Sequence, residues 1–222
     1  MLTVNADTLT FQLPTEWHEV TLFQATALLD AANSLDITAI LSGVSVADLR
    51  AQRTPDLLTR LAPYLEFVEN PPAFTELPPA KSITLNSQLI TPPTNLGVES
   101  TVGQTFDVSA ELKTIYDGLD EEESPSLYDV CLTVLGIYLA PVYHKLPYTD
   151  IEQAKVIHPY ILSLPVTDAL PLTAFFLTST QQKQPSGRLS LRPAKPPGTM
   201  RGWRNWLPNL LRVLKSLGSI ST

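Results

Sequence analysis

The chain has 222 residues, 44% of them hydrophobic and 17% charged, with 20 prolines, one cysteine and a formal net charge of −7. That length supports one good-sized core or two small domains, and that apolar content excludes a fully disordered chain. A lone cysteine excludes an intrachain disulfide, and the acidic total argues against nucleic acid as a partner.

LTVNADTLTFQLP (2–14) alternates apolar and polar residues around Asn5, Ala6 and Asp7, which predicts a β-hairpin with Leu9, Phe11 and Leu13 on one face. A helix is expected over 19–33, with Val20, Phe23, Ala27 and Leu28 in helical register and Asn33 as its stop. DITAILSG (36–43) predicts a short helix ending at Gly43, and Ser45 with Asp48 starts another. Thr54-Pro55 reads as an N-cap and first helical residue. Behind it Leu57, Leu58, Leu61, Leu65 and Val68 share a face, and Pro63 is expected to kink or divide that helix.

NPPAFTELPPAK (70–81) is a Pro-rich connection and the best internal boundary. SITLNSQLITP (82–92) reads as extended, and NLGVESTVGQTFDV (95–108) as strand, turn and strand. A helix is expected from Ser109 to about Tyr116, then an acidic loop over 117–126. Ser124-Pro125 is placed at the start of a helix through Lys145, apolar on nearly every side between Val130 and Val142 and therefore central to a core. Thr149 and Glu152 suggest a capping box for a helix to about Tyr160. Pro165–Thr180 predicts the last body helix, with Leu170, Leu172, Phe175 and Phe176 inward. No repeat of fixed period is evident. The fold class expected is mainly α with a small β component (α+β). It comprises an N-terminal hairpin, a helical body over 1–180, a disordered or extended linker over 181–200, and a basic tail over 201–222 with a short amphipathic helix.

Charge divides along the same line. Residues 181–222 carry eight Lys and Arg and no acid, or +8, while the rest carries seven bases against 22 acids, or −15. In the tail Trp203, Trp206, Leu207, Leu210, Leu211, Leu214 and Leu217 recur at spacings of three and four, with Arg204, Arg212 and Lys215 off that stripe. Pro208 is tolerable only near a helix start, so the helix is expected from about Leu207 to Leu217, with Gly218 as its stop. So short an amphipathic helix is marginal alone in water and needs a surface. The protein's own body, a second copy, a groove on a partner protein or an anionic membrane could supply one. These ten residues are the candidate partner-binding set.

Signatures of P-loop, dinucleotide, Ser-hydrolase and zinc chemistry are absent from the sequence. Asp117, Asp120, Glu121, Glu122 and Glu123 lack the order of a calcium loop. His18, His144 and His158 have no metal spacing, and Cys131 sits among apolar neighbours as a buried small hydrophobe. No enzyme, cofactor or metal is expected. Residues 1–30 lack a leader pattern, and the apolar window 130–142 is shorter than a membrane span, so a soluble cytoplasmic protein is expected.

LPTEWHEVTLFQATALL (13–29), with Trp17, Glu19, Thr21 and Gln24, resembles the opening of small proteins from tailed-phage virion-assembly modules. The ILSG turn at 40–43, the LEFV phrase at 65–68, Gly103-Gln104 as part of a strand and the late apolar helix from Leu127 to Lys145 continue the likeness. The family is that of tail assembly chaperone-like proteins. It implies a non-catalytic factor in the host cytoplasm that holds an aggregation-prone tape-measure protein until the tail tube polymerises. The alternatives are a virion or connector component that self-associates through its tail, and a peripheral membrane protein.

Overall fold

In the computed structural model residues 1–53, 56–117 and 125–182 are described, and they form a mainly helical body with two small hairpins. Strands β1 (Leu2–Asn5) and β2 (Thr10–Leu13) pair antiparallel with Leu2 opposite Leu13, and Phe11 and Leu13 are buried as expected. A 3-10 turn over Trp17–Glu19 follows, so helix α1 is only Leu22–Leu28. The reason is the capping box: Thr21 accepts from the Gln24 amide while Gln24 accepts from the Thr21 amide, which fixes the start. The buried face is therefore Leu22, Ala25 and Leu28, and Phe23 stands 57% exposed.

Asn33 starts a helix instead of stopping one. Its side chain accepts from Leu35 and Asp36 at the head of α2 (Ser34–Ser42). Gly43, with φ 69°, ends α2 in the left-handed conformation that glycine tolerates best. Ser45 caps α3 (Val46–Ala51) as its spacing from Asp48 suggests. Thr54 and Pro55 lie outside the described residues. Helix α4 (Leu57–Glu69) follows Asp56 and runs through Pro63 undivided. Pro63 and Thr59, whose carbonyl loses its helical donor, both lie on the solvent side, where hydration of that carbonyl costs little.

The Pro-rich connection carries Phe74 into the core, edge-on to Trp17 at 5.4 Å. Beyond it β3 (Ile83–Leu85) and β4 (Gln88–Ile90) form a second hairpin, with Asn86 and Ser87 both at positive φ as a tight two-residue turn requires. Segment 95–108 is not strand, turn and strand. It holds α5 (Leu96–Glu99) and the start of α6 (Val102–Asp117), so Gly103-Gln104 is helical. Thr101 and Gln104 exchange the same capping bonds as Thr21 and Gln24, and they open the helix well before Ser109. Ser124 and most of the acidic loop (118–124) lie outside the described residues.

Helix α7 (Leu127–His144) is capped by Ser126 and buried on every side from Val130 to Ala140. At 18 residues it is longer than its most apolar window, and it has the length and composition of a membrane-crossing helix; 67% of it is buried inside the body. Asp150, not Thr149, caps α8 (Ile151–Lys155), because its carboxylate accepts from the Gln153 amide. A separate α9 (His158–Leu162) follows, then α10 (Val166–Gln182), which buries Leu170, Leu172 and Phe176 and leaves Phe175 half-buried.

The core forms around α7, which packs against α1, α6, α8, α9 and α10. Leu164–Val166 lies along the head of α1: Leu22 N–H donates to Leu164 C=O and Val166 N–H to Val20 C=O, both at 2.8 Å.

The two hairpins lead into units of one design. After β1–β2, Thr15 N–H donates to the Glu19 carboxylate at 2.8 Å, and Thr21-x-x-Gln24 opens α1. After β3–β4, Thr94 N–H donates to the Glu99 carboxylate at 3.0 Å, and Thr101-x-x-Gln104 opens α6. Trp17 and Leu96 take the matching buried positions between them. The spacing differs by one residue between the copies, which conceals the repeat from a search for a fixed period.

Candidate functional site: an apolar face on the second unit

The ten tail residues of the candidate set, Trp203 to Leu217, lie outside the described residues. Among the described residues three strongly exposed apolar side chains fall within nine positions, Val98, Val102 and Phe106, exposed by 82%, 88% and 69%. Val102 and Phe106 are four apart on α6, so they stand on one helical face, and the small Ala110 extends it by another turn. Val98 lies on the short α5 just before.

Three interactions hold this face in place. The Gln104 side chain, buried on the opposite side of α6, donates to the Ile137 carbonyl at 2.9 Å. Pro141 cannot donate to that carbonyl, so Gln104 replaces the missing helical bond in α7. Val108 and Leu112 are buried on the Gln104 side. Tyr138 of α7 shares its hydroxyl with Thr180 Oγ1 of α10 at 2.8 Å and interacts with Thr105, the neighbour of Phe106. Burial raises the Tyr138 pKa, so the hydroxyl stays neutral. The last turn of α10 thus passes close to the first turns of α6.

One flank of the face is acidic. Tyr148 donates to the Asp107 carboxylate at 2.7 Å, and burial, then Asp107, Asp150 and Glu111, raise its pKa. Glu152 pairs with Lys155 at 2.6 Å on the same side. Three carboxylates, Asp107, Asp150 and Glu111, therefore act on Tyr148, and Glu111 also acts on Lys155, whose pKa is raised first by Glu152 and then by Glu111.

The contrast with the first unit is direct. Leu22, the residue that follows the capping threonine, is 0% exposed beneath Leu164–Val166. Val102 follows the equivalent threonine and is open.

The cysteine and the histidines are placed as follows. Cys131 is fully buried, 3.6 Å from the Thr173 hydroxyl, and burial pushes its pKa up to about 12. His144 closes α7, with Nε2 at 3.2 Å from the Gln153 carbonyl. His18 is exposed beside Glu16. His158 packs against Gly136, and burial, then Lys155, lower its pKa. Among the described residues no group of three or more His, Cys, Asp or Glu is placed to hold a metal ion.

Of the segment that carried the family resemblance, each residue has a local task. Trp17 donates from Nε1 to the Phe67 carbonyl at 2.9 Å, Glu19 holds the Thr15 amide, and Gln24 reaches the Leu41 carbonyl at 2.9 Å from its capping position. Sequence reasoning missed the α5–α6 face. The signal for it is the second Pro-Thr…Glu-x-Thr-x-x-Gln pattern at 93–104, which repeats that at 14–24. No protein-family model, curated protein or solved structure matches the chain.

Proposed function

We propose that this protein is a non-catalytic phage assembly factor, tail assembly chaperone-like, that holds a tape-measure-type protein in the host cytoplasm. The observation that carries the reading is the exposed face of α6: Val102 and Phe106 stand in water, with Val98 exposed on α5 just before them, and the buried Gln104–Ile137 hydrogen bond anchors α6. Large apolar groups clustered on a rigid helix are what a partner helix seeks in a groove or face. The acidic flank of Asp107, Glu111, Asp150 and Glu152 favours a partner that is basic beside its apolar stripe. The tail's Trp and Leu ridge offers a second apolar surface to the same partner.

The test is co-expression with the tape-measure-type protein of the same virion module. The full chain is expected to keep that protein in the supernatant and to co-purify with it. Phe106→Asp is expected to weaken the complex at least tenfold, the scale of an interface hot spot of about 2 kcal/mol. Failure of the unaltered chain to co-purify overturns the reading.

A further inference from the structure

We propose that residues 206–217 of the same chain dock on the α5–α6 face of the free protein. There they fill in the second unit the place that Leu164–Pro165 and the head of α10 fill in the first. The two units share their hairpin, their Thr–Glu clasp and their Thr-x-x-Gln helix start, and α10 packs against both, yet the residue after the capping threonine is covered in the first (Leu22) and open in the second (Val102). The cover there is a Leu-Pro step followed at once by a helix. The tail has the same succession: Leu207-Pro208, then leucines at helical spacing.

Position agrees. The described body ends at Gln182, two residues after Thr180, which meets Tyr138 beside Thr105 on α6. The 23 residues from Lys183 to Asn205 can span up to about 80 Å at ~3.5 Å each, so reach does not limit docking. Charge agrees too, since residues 181–222 carry +8 and the flank of the face carries Asp107, Glu111, Asp150 and Glu152. A tethered segment also faces its own body at an effective concentration on the order of millimolar, which outcompetes a second copy at micromolar protein.

Two sticky surfaces of opposite charge therefore cover one another until a partner arrives. That consequence rests on the function proposed above, because the partner must displace the tail; the docking itself does not.

The experiment uses the full chain and iodide quenching of tryptophan emission. Trp17 is buried in the body and supplies a protected background, and Trp203→Phe removes the indole outside residues 206–217, so any change reports on Trp206. The expected result is blue-shifted, protected emission that is independent of protein concentration. Phe106→Asp should shift the emission red and raise quenching severalfold with circular dichroism unchanged. Tyr64→Asp, on the exposed side of α4, should leave quenching as it was. A Trp206 indole open to iodide in the chain with Phe106 intact overturns the proposal, as does protection that survives Phe106→Asp. Protection that appears only as the chain dimerises assigns the face to a second copy and also overturns it. Co-purification with the tape-measure-type protein is scored separately, so either idea can fail alone.

Discussion

The side-chain amide of Gln104 donates to the carbonyl of Ile137 at 2.9 Å, and this is the carbonyl that Pro141 leaves without a helical donor. Each of the two features makes the other tolerable. A proline inside a buried helix strands an acceptor in a place without water, and a buried glutamine amide needs one. Gln104→Leu should therefore destabilise the protein by about 1–3 kcal/mol, the cost of an unsatisfied buried carbonyl, with a further part from loss of the capping bond to Thr101. Pro141→Ala restores an N–H four residues after Ile137. In that background the same Gln104→Leu change should cost at least about 1 kcal/mol less. Urea denaturation of the four proteins measures the coupling, and additive costs would refute it.

That pair also shows where the sequence was legible and where it was not. The hairpin over 2–13 and the all-apolar α7 were plain, because strict alternation and uniform burial have few competing readings. Segment 95–108 reads as strand, turn and strand from its Gly and β-branched content, and its apolar residues Leu96, Val98, Val102, Phe106 and Val108 all fall on even positions. Even spacing suits a strand as well as helical steps of four, and Gly103 pointed to a turn. The deciding signal was the exchange between Thr101 and Gln104, which only a helix start makes. Asn33 was misplaced for a similar reason, since an Asn serves a helix end or a helix head equally well until its side chain is seen to accept from Leu35 and Asp36. The apolar face followed α6 into that error. The ten tail residues lie outside the described part of the chain, and the structure bears on them only through the surface it leaves open.

Gly136 has a different constraint. A β-carbon placed there would lie 2.9 Å from His158 Nε2 and 3.4 Å from the Ala154 β-carbon. Alanine is the better helix former by about 1 kcal/mol, but overpacking a well-filled core costs about 1–3 kcal/mol. The clash wins, and Gly136→Ala should lower stability. His158→Ala removes the obstructing ring, so in that background Gly136→Ala should raise stability instead. A reversal of sign in thermal unfolding is the expected outcome, and the same sign in both backgrounds would show that α9 simply moves aside.

Cys131 should be chemically silent in the native protein. Burial pushes its pKa up to about 12, so at pH 8 the thiol is overwhelmingly neutral, before its inaccessibility is counted. Labelling by an aromatic disulfide reagent should be at least about a hundredfold slower in the folded chain than in urea. Rapid labelling at pH 8 without denaturant would mean that α7 and α10 separate readily, against the packing of Thr173 on Cys131.

His158 gives the fold a dependence on acid whose sign follows from its shift. Burial, then the charge of Lys155, hold its folded pKa below the ordinary value of 6.5. As pH falls below 6.5 the unfolded chain takes up the proton first, so the unfolded state gains and stability drops. The loss continues until pH passes the lowered folded value, and it is absent above 6.5, where both states are neutral. His158→Gln cannot titrate. Between pH 7 and pH 5 its stability should fall less steeply than that of the unaltered protein, by up to about 1.4 kcal/mol for each unit by which the folded pKa lies lower. Urea midpoints at half-unit steps across that window measure the difference. Parallel curves would place the ring in water and remove the burial on which the sign depends.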